Sequence, residues 1–96
     1  MALMRPSKRQ LLRAVARSTG VSENALQNGS LVRRVCRARH IGMNAAYLTG
    51  YTFQEAAEAF GRVDHGTAMH AIKRVKESLP ATLLLGEVLL LLGWKA

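Results

Sequence analysis

The chain has little with which to build cross-links. One cysteine, Cys36, occurs among 96 residues. An internal disulfide is therefore excluded, and a cysteine-based zinc site lacks thiols. This usage fits a reducing compartment. Aromatic residues make up 5% of the sequence, so the core must be built from Leu, Val, Ala, Met and Ile. The longest leucine-rich stretch, Leu83 to Leu92, is interrupted by Glu87. It is too short for a membrane span, which needs about 20 apolar residues. No glycine-rich phosphate loop with a following lysine is present, so no nucleotide-hydrolysing site is visible. Strand-like alternation, internal repeats and low-complexity segments are also missing. The opening Met1–Pro6 lacks the apolar h-region of a signal peptide, and a cytoplasmic location is expected.

Acids are scarce as well: six Asp and Glu stand against fourteen Lys and Arg. Residues 1–40 hold nine of the basic residues and one acid, Glu23, whereas residues 41–96 hold five of each. The excess positive charge thus lies in the N-terminal part. Such asymmetry suggests a polyanion partner, nucleic acid or an anionic membrane surface. Apolar residues make up 49% of the chain, which favours one folded domain over residues 1–96.

The apolar positions recur at helical spacing, and the expected class is all-α, a helical bundle. Ser7 with Gln10 forms a capping-box pattern for a helix over 8–18, stopped by Gly20. Ser22 caps a short helix over 23–27 with Leu26 as its anchor. Asn28-Gly29 marks a turn. Ser30 opens the next segment, whose arginine-rich start, Arg33, Arg34, Arg37 and Arg39, is expected to be loop-like. Regular helix should begin near Cys36 or Arg37 and end at Gly50, with Ile41, Met43, Ala45, Ala46, Tyr47 and Leu48 in the core. Thr52 and Glu55 form a second capping box for a helix over 53–60. Its apolar face is Phe53, Ala56, Ala57 and Phe60.

A tight turn at Gly61 then leads to a helix capped by Asp64. Ala68, Ile72, Val75 and Leu79 set its apolar repeat, and it should run to about Ser78 before Leu79-Pro80 breaks it. A short helix, a turn and a second helix led by polar residues is the layout of a helix-turn-helix, spanning about 52–78. The first residues of such a second helix meet base edges in the major groove. Asp64 could accept from a cytosine amine, His65 could donate to guanine or touch a thymine methyl, and Thr67 could do either. Lys73, Arg74 and Lys76 lie further along and suit phosphates. Asp64 alone would be explained as a cap; the set argues for more. His70 is expected to be partly buried and satisfied. His65 and His70 are five apart, which does not make a metal pair. Glu55 and Glu58 read as a solvated face. With no nucleophile beside a plausible base, the chain is not expected to be an enzyme, and no cofactor is expected.

The stretch Phe60-Gly61-Arg62-Val63-Asp64-His65-Gly66-Thr67-Ala68-Met69-His70-Ala71 resembles the signature F-G-G-R-D-H-T-T-V-L-H-A. That signature belongs to the C-terminal DNA-binding domain (domain IV) of the bacterial replication initiator family DnaA. Val35-Cys36-Arg37-Ala38-Arg39-His40-Ile41-Gly42-Met43 is similar to the family's V-A-R-P-R-Q-x-A-M. The resemblance covers most of residues 8–79. It implies an all-helical, TrpR-like domain that binds double-stranded DNA. Asp64, His65, Gly66 and Thr67 would face the major groove. Arg37 would reach the minor groove, with Arg39 the next basic residue. Arg33, Arg34, Arg62, Lys73, Arg74 and Lys76 complete the expected minor-groove or phosphate set. Gly66 replaces the first threonine of the signature, Val63 the basic residue before the aspartate, and Ala38 the proline. The DNA-reading frame should be kept while the sequence read differs. The family's ATPase portion is not matched by these 96 residues.

The expected role is transcription regulation, of a phage-like or other mobile element, or alternatively modulation of replication at initiator boxes. The helix over 81–92 is apolar on nearly every side. Such a helix is either packed in the core or covered by a second copy or another protein partner. A peripheral membrane role ranks low, because the basic and apolar segments occupy opposite ends of the sequence.

Overall fold

The computed structural model describes residues 5–93, which contain six helices and no strand. They are α1 (Lys8–Thr19), α2 (Glu23–Gln27), α3 (Arg33–Leu48), α4 (Phe53–Ala59), α5 (His65–Lys76) and α6 (Leu79–Leu91).

Local chemistry sets most of the boundaries. Ser7 Oγ accepts from Gln10 N at 3.1 Å while Gln10 Oε1 accepts from Ser7 N at 2.8 Å, a complete capping box. Thr52 and Glu55 repeat the arrangement at 3.1 and 3.0 Å. Gly20 ends α1 in the left-handed conformation at φ 76°. Ser22 caps α2, and Leu26 is fully buried.

Two boundaries and one burial assignment differ from the sequence expectation. Helix α3 begins at Arg33, so the arginine-rich start is regular helix. Its N-cap is Val32, which has no side-chain bond to offer, and Ser30 Oγ instead accepts from Val32 N at 3.4 Å. Burial of Val35, Ala38 and Arg39 holds that first turn in place of a cap. At the other end Tyr47 and Leu48 are exposed rather than core. Tyr47 stacks on Phe53 with ring centroids 4.4 Å apart. Third, the break after α5 falls at Glu77-Ser78, and α6 starts at Leu79 with Pro80 in its first turn. A first-turn N–H has no intrahelical acceptor, so proline loses nothing there. Leu79 is consequently 71% exposed and does not continue the α5 repeat.

Helix α3 is the central element and packs against all five others. At its middle, Gly42 meets the fully buried Phe60 ring, and a Cβ there would collide with the ring's Cζ and Cε1. That close approach sets α4 and the following turn against α3. Gly61, at φ 74°, turns the chain just after Phe60, and a side chain there would collide with the Gln27 carbonyl. The N-terminal end is tied down by Tyr51, whose hydroxyl donates to the Pro6 carbonyl at 2.8 Å. Arg5 lies 4.2 Å over the Tyr51 ring and 3.0 Å from Glu55. Glu55, bonded to the Thr52 backbone and to Arg5, is held below the usual carboxylate range.

Candidate nucleic-acid interface

The turn between α4 and α5 is short and internally bonded. Arg62 N donates to the Ala57 carbonyl at 2.9 Å. Gln54 Nε2 donates to both Glu58 Oε1 and the Val63 carbonyl, each at 2.8 Å. Gln54 is a positioning residue that sequence reasoning missed, because a polar residue on an exposed helix face carries no signal of what it will reach. Val63 itself stands in solvent.

Asp64 caps α5, with Oδ1 accepting from Gly66 N at 2.9 Å. The bond to the residue two positions on is made; the Thr67 N–H goes to the Asp64 backbone carbonyl at 3.0 Å. The Asp64 and His65 side chains are 74% and 64% exposed, and His65 Nδ1 lies 3.9 Å from Asp64 Oδ1. Oδ2 accepts no hydrogen bond among the described residues and is available to an outside donor. Gly66 and Thr67 are half-buried. Gly66 has no left-handed backbone, and a Cβ there would lie 3.3 Å from the exposed Asp64 Oδ1. The position accepts a side chain if the carboxylate shifts slightly.

The cations divide into two groups. Arg33, Arg34 and Arg37 on α3 and Lys73, Arg74 and Lys76 on α5 are exposed, and Arg62 in the turn is half-buried. Arg33, Arg37, His40 and Arg74 line one cleft of about 640 Å³ between α3, α5 and the start of α6. The basic start of α3 and the second half of the recognition-type helix therefore face a common space.

Arg39 does not belong to that surface. It is 2% exposed, and its guanidinium points into the α2–α3 junction. Nε donates to the Leu26 carbonyl at 2.9 Å, and Nη2 is shared among the carbonyls of Ala25, Asn28 and Ser30 at 3.1–3.2 Å. These include carbonyls that the end of a helix leaves without partners. Burial, with Arg62 nearby, lowers its pKa from the ordinary arginine value. The expected DNA contact at Arg39 is corrected on this geometry. Residues 37 and 39 sit about 200° apart around a helix, so one faces solvent and the other the core.

His70 is also corrected: it is exposed, not partly buried, and its Nε2 accepts from Arg74 Nε at 3.3 Å. The half-buried histidine is His40, whose ring meets His70 edge-on at 6.3 Å. Burial first, then His70, Arg74, Arg39 and Arg62, push the His40 pKa below 6.5. Among the described residues no group of three or more His, Cys, Asp and Glu side chains could hold a metal ion.

Helices α1 to α5, except the terminal residues Lys8 and Lys76, and the turn at 60–64 fall within residues matched by a known family. The model described as the bacterial DnaA protein helix-turn-helix matches residues 9–75, more than two-thirds of the chain. The chain belongs to the bacterial DnaA helix-turn-helix family. Among curated proteins it is similar to the chromosomal replication initiator protein DnaA of Agrobacterium fabrum, 33% identical over 75 residues. That match covers 77% of this chain and 15% of the relative. The initiator of Bartonella quintana is 33% identical over 69 residues, covering 71% of this chain and 14% of the relative. The chain thus corresponds to a small part of those DnaA proteins, and α6 lies beyond residues 9–75 that the family model matches.

Proposed function

We propose that this chain binds double-stranded DNA through its DnaA-type helix-turn-helix. Helix α5 enters the major groove with Asp64, His65, Gly66 and Thr67 toward base edges. Arg33, Arg34 and Arg37 contact the neighbouring minor groove or phosphates, and Arg62, Lys73, Arg74 and Lys76 contact phosphates. The observation that carries this reading is the shared face. Exposed polar residues lead α5, and exposed arginines from α3 line the cleft beside its second half. Arg33, Arg37 and Arg74 share that cleft and supply the start of the positive footprint a duplex needs.

The role proposed is sequence-preferring transcription regulation in the cytoplasm, on the nucleoid. Modulation of replication by competing for initiator boxes is the second reading. It draws on the relatives, which are named chromosomal replication initiators. No helix of the described residues is long and apolar enough to cross a membrane. Selection of bound duplexes from a random pool tests the proposal. Enrichment of one site supports sequence-preferring regulation, and enrichment of initiator boxes supports the second reading. No enrichment over input contradicts both.

A further inference from the structure

Val63 is 86% exposed, more than any other large apolar side chain of the described residues. A lone exposed valine is ordinary on a protein surface, but the setting of this one is not. It lies between Arg62 and Asp64, the N-cap of α5, and forms one exposed run with Asp64 and His65. Its backbone is held from both sides. Gln54 Nε2 donates to the Val63 carbonyl at 2.8 Å, and Gln54 is itself fixed by the bond to Glu58 on its own helix. The Arg62 N–H donates to the Ala57 carbonyl at 2.9 Å. A β-branched side chain is stiff at χ1. The turn therefore presents two methyl groups in a nearly fixed place, directly before the polar residues that lead α5.

We propose that Val63 is a specificity-determining residue that packs against the 5-methyl group of a thymine, beside the base edges met by Asp64 and His65. The inference rests on the duplex-binding reading above and names a base that this site prefers. Its chemistry is selective because valine has no hydrogen-bonding group. Laid over a base-edge donor or acceptor, or over a phosphate oxygen, it strips away water and returns no bond. In the major groove the four bases show one apolar group, the thymine methyl. A basic side chain at this place would seek a phosphate or a base acceptor; valine can use neither. Asp64 and His65 read hydrogen-bonding groups, and Val63 adds a contact of a different kind next to them.

The test uses the full chain and the duplex it selects from a random pool. Each thymine of that duplex is replaced in turn by deoxyuridine, which pairs identically and lacks only the methyl. Affinity is read by fluorescence anisotropy for wild type, Val63→Ser and Val63→Arg. The Val63 side chain stands in solvent, so both variants should keep the fold, which far-ultraviolet circular dichroism verifies. In wild type, one replacement should weaken binding by about fourfold, the worth of one buried methyl group. The same replacement should leave the affinity of Val63→Ser unchanged, while losses at any other thymine persist. That coupling separates Val63 from His65 and Thr67, which could touch thymine methyls of their own. Val63→Arg should also lose the dependence on that methyl, and its salt slope should steepen by about one if the new cation reaches a phosphate. A duplex that is bound but holds no thymine whose loss depends on Val63 overturns the inference and leaves the duplex-binding reading standing. Absence of duplex binding at low salt overturns both.

Discussion

Replacing Arg39 by alanine should cost a large share of the stability, while the same change at Arg37 should leave it nearly untouched. The Arg39 guanidinium serves four backbone carbonyls around the end of α2 and the 28–30 loop. Each hydrogen bond from a charged donor contributes about 1.5–3 kcal/mol. The four do not add fully, because Nη2 has two hydrogens for three of the acceptors. Leaving a buried carbonyl without its donor costs about 1–3 kcal/mol, and the emptied space of a buried side chain adds to it. A domain of 96 residues has a total stability of only about 5–14 kcal/mol. The expected loss is thus a substantial fraction of the stability. Urea denaturation followed by circular dichroism should show the Arg39→Ala midpoint far below wild type. Arg37→Ala, on the exposed side of the same helix, should stay within about 0.5 kcal/mol. Arg39→Lys should fall between them, since one ammonium cannot span Leu26 and the 28–30 loop together. If Arg39→Ala and Arg37→Ala unfold at the same urea concentration, the structural role assigned to Arg39 is wrong.

Gly42→Ala should destabilise by about 1–3 kcal/mol despite alanine's better helix propensity, because the Phe60 ring must move; a calorimetric melt checks it. Stability should fall as pH drops below 6.5, the ordinary histidine value, toward the lower pKa that His40 has when folded. The unfolded chain binds a proton there that the folded chain resists, so acid favours unfolding. His40→Gln should flatten that part of the melting-temperature profile, and an unchanged slope would show that another group is responsible. Gly66→Thr should fold normally, since the position has ordinary backbone and only Asp64 nearby. It should change the preferred duplex by about 1–3 kcal/mol per altered base contact, read by competition binding.

Much of the fold was legible because its helix ends are written in side chains. Ser7 with Gln10, Ser22, Thr52 with Glu55, and Asp64 all form the caps that their spacing suggested. Where no side chain caps, the reading failed. The start of α3 is held by burial of Val35, Ala38 and Arg39, and a cluster of arginines gives no local sign of that. Arg37 and Arg39 carry the same charge, so only three-dimensional packing tells the exposed one from the buried one. His70, expected to be partly buried, stands exposed for the same reason. Helix α6 is leucine-rich all round, and nothing in its periodicity could say that Val88 faces inward while Leu83 and Leu90 face out.

The central claim is that the α3 and α5 cations and the α5 N-terminus form one duplex-binding face. Its most direct test is fluorescence anisotropy of the full chain with a labelled duplex over a range of salt concentrations. If about four to seven of the accessible cations neutralise phosphates, the logarithm of the binding constant should fall with the logarithm of salt at a slope of about −4 to −6. Arg37→Ala should weaken binding and, if Arg37 sits on a phosphate, make that slope shallower by about one. Absence of binding at low salt, or affinity that does not change with salt, would contradict the account.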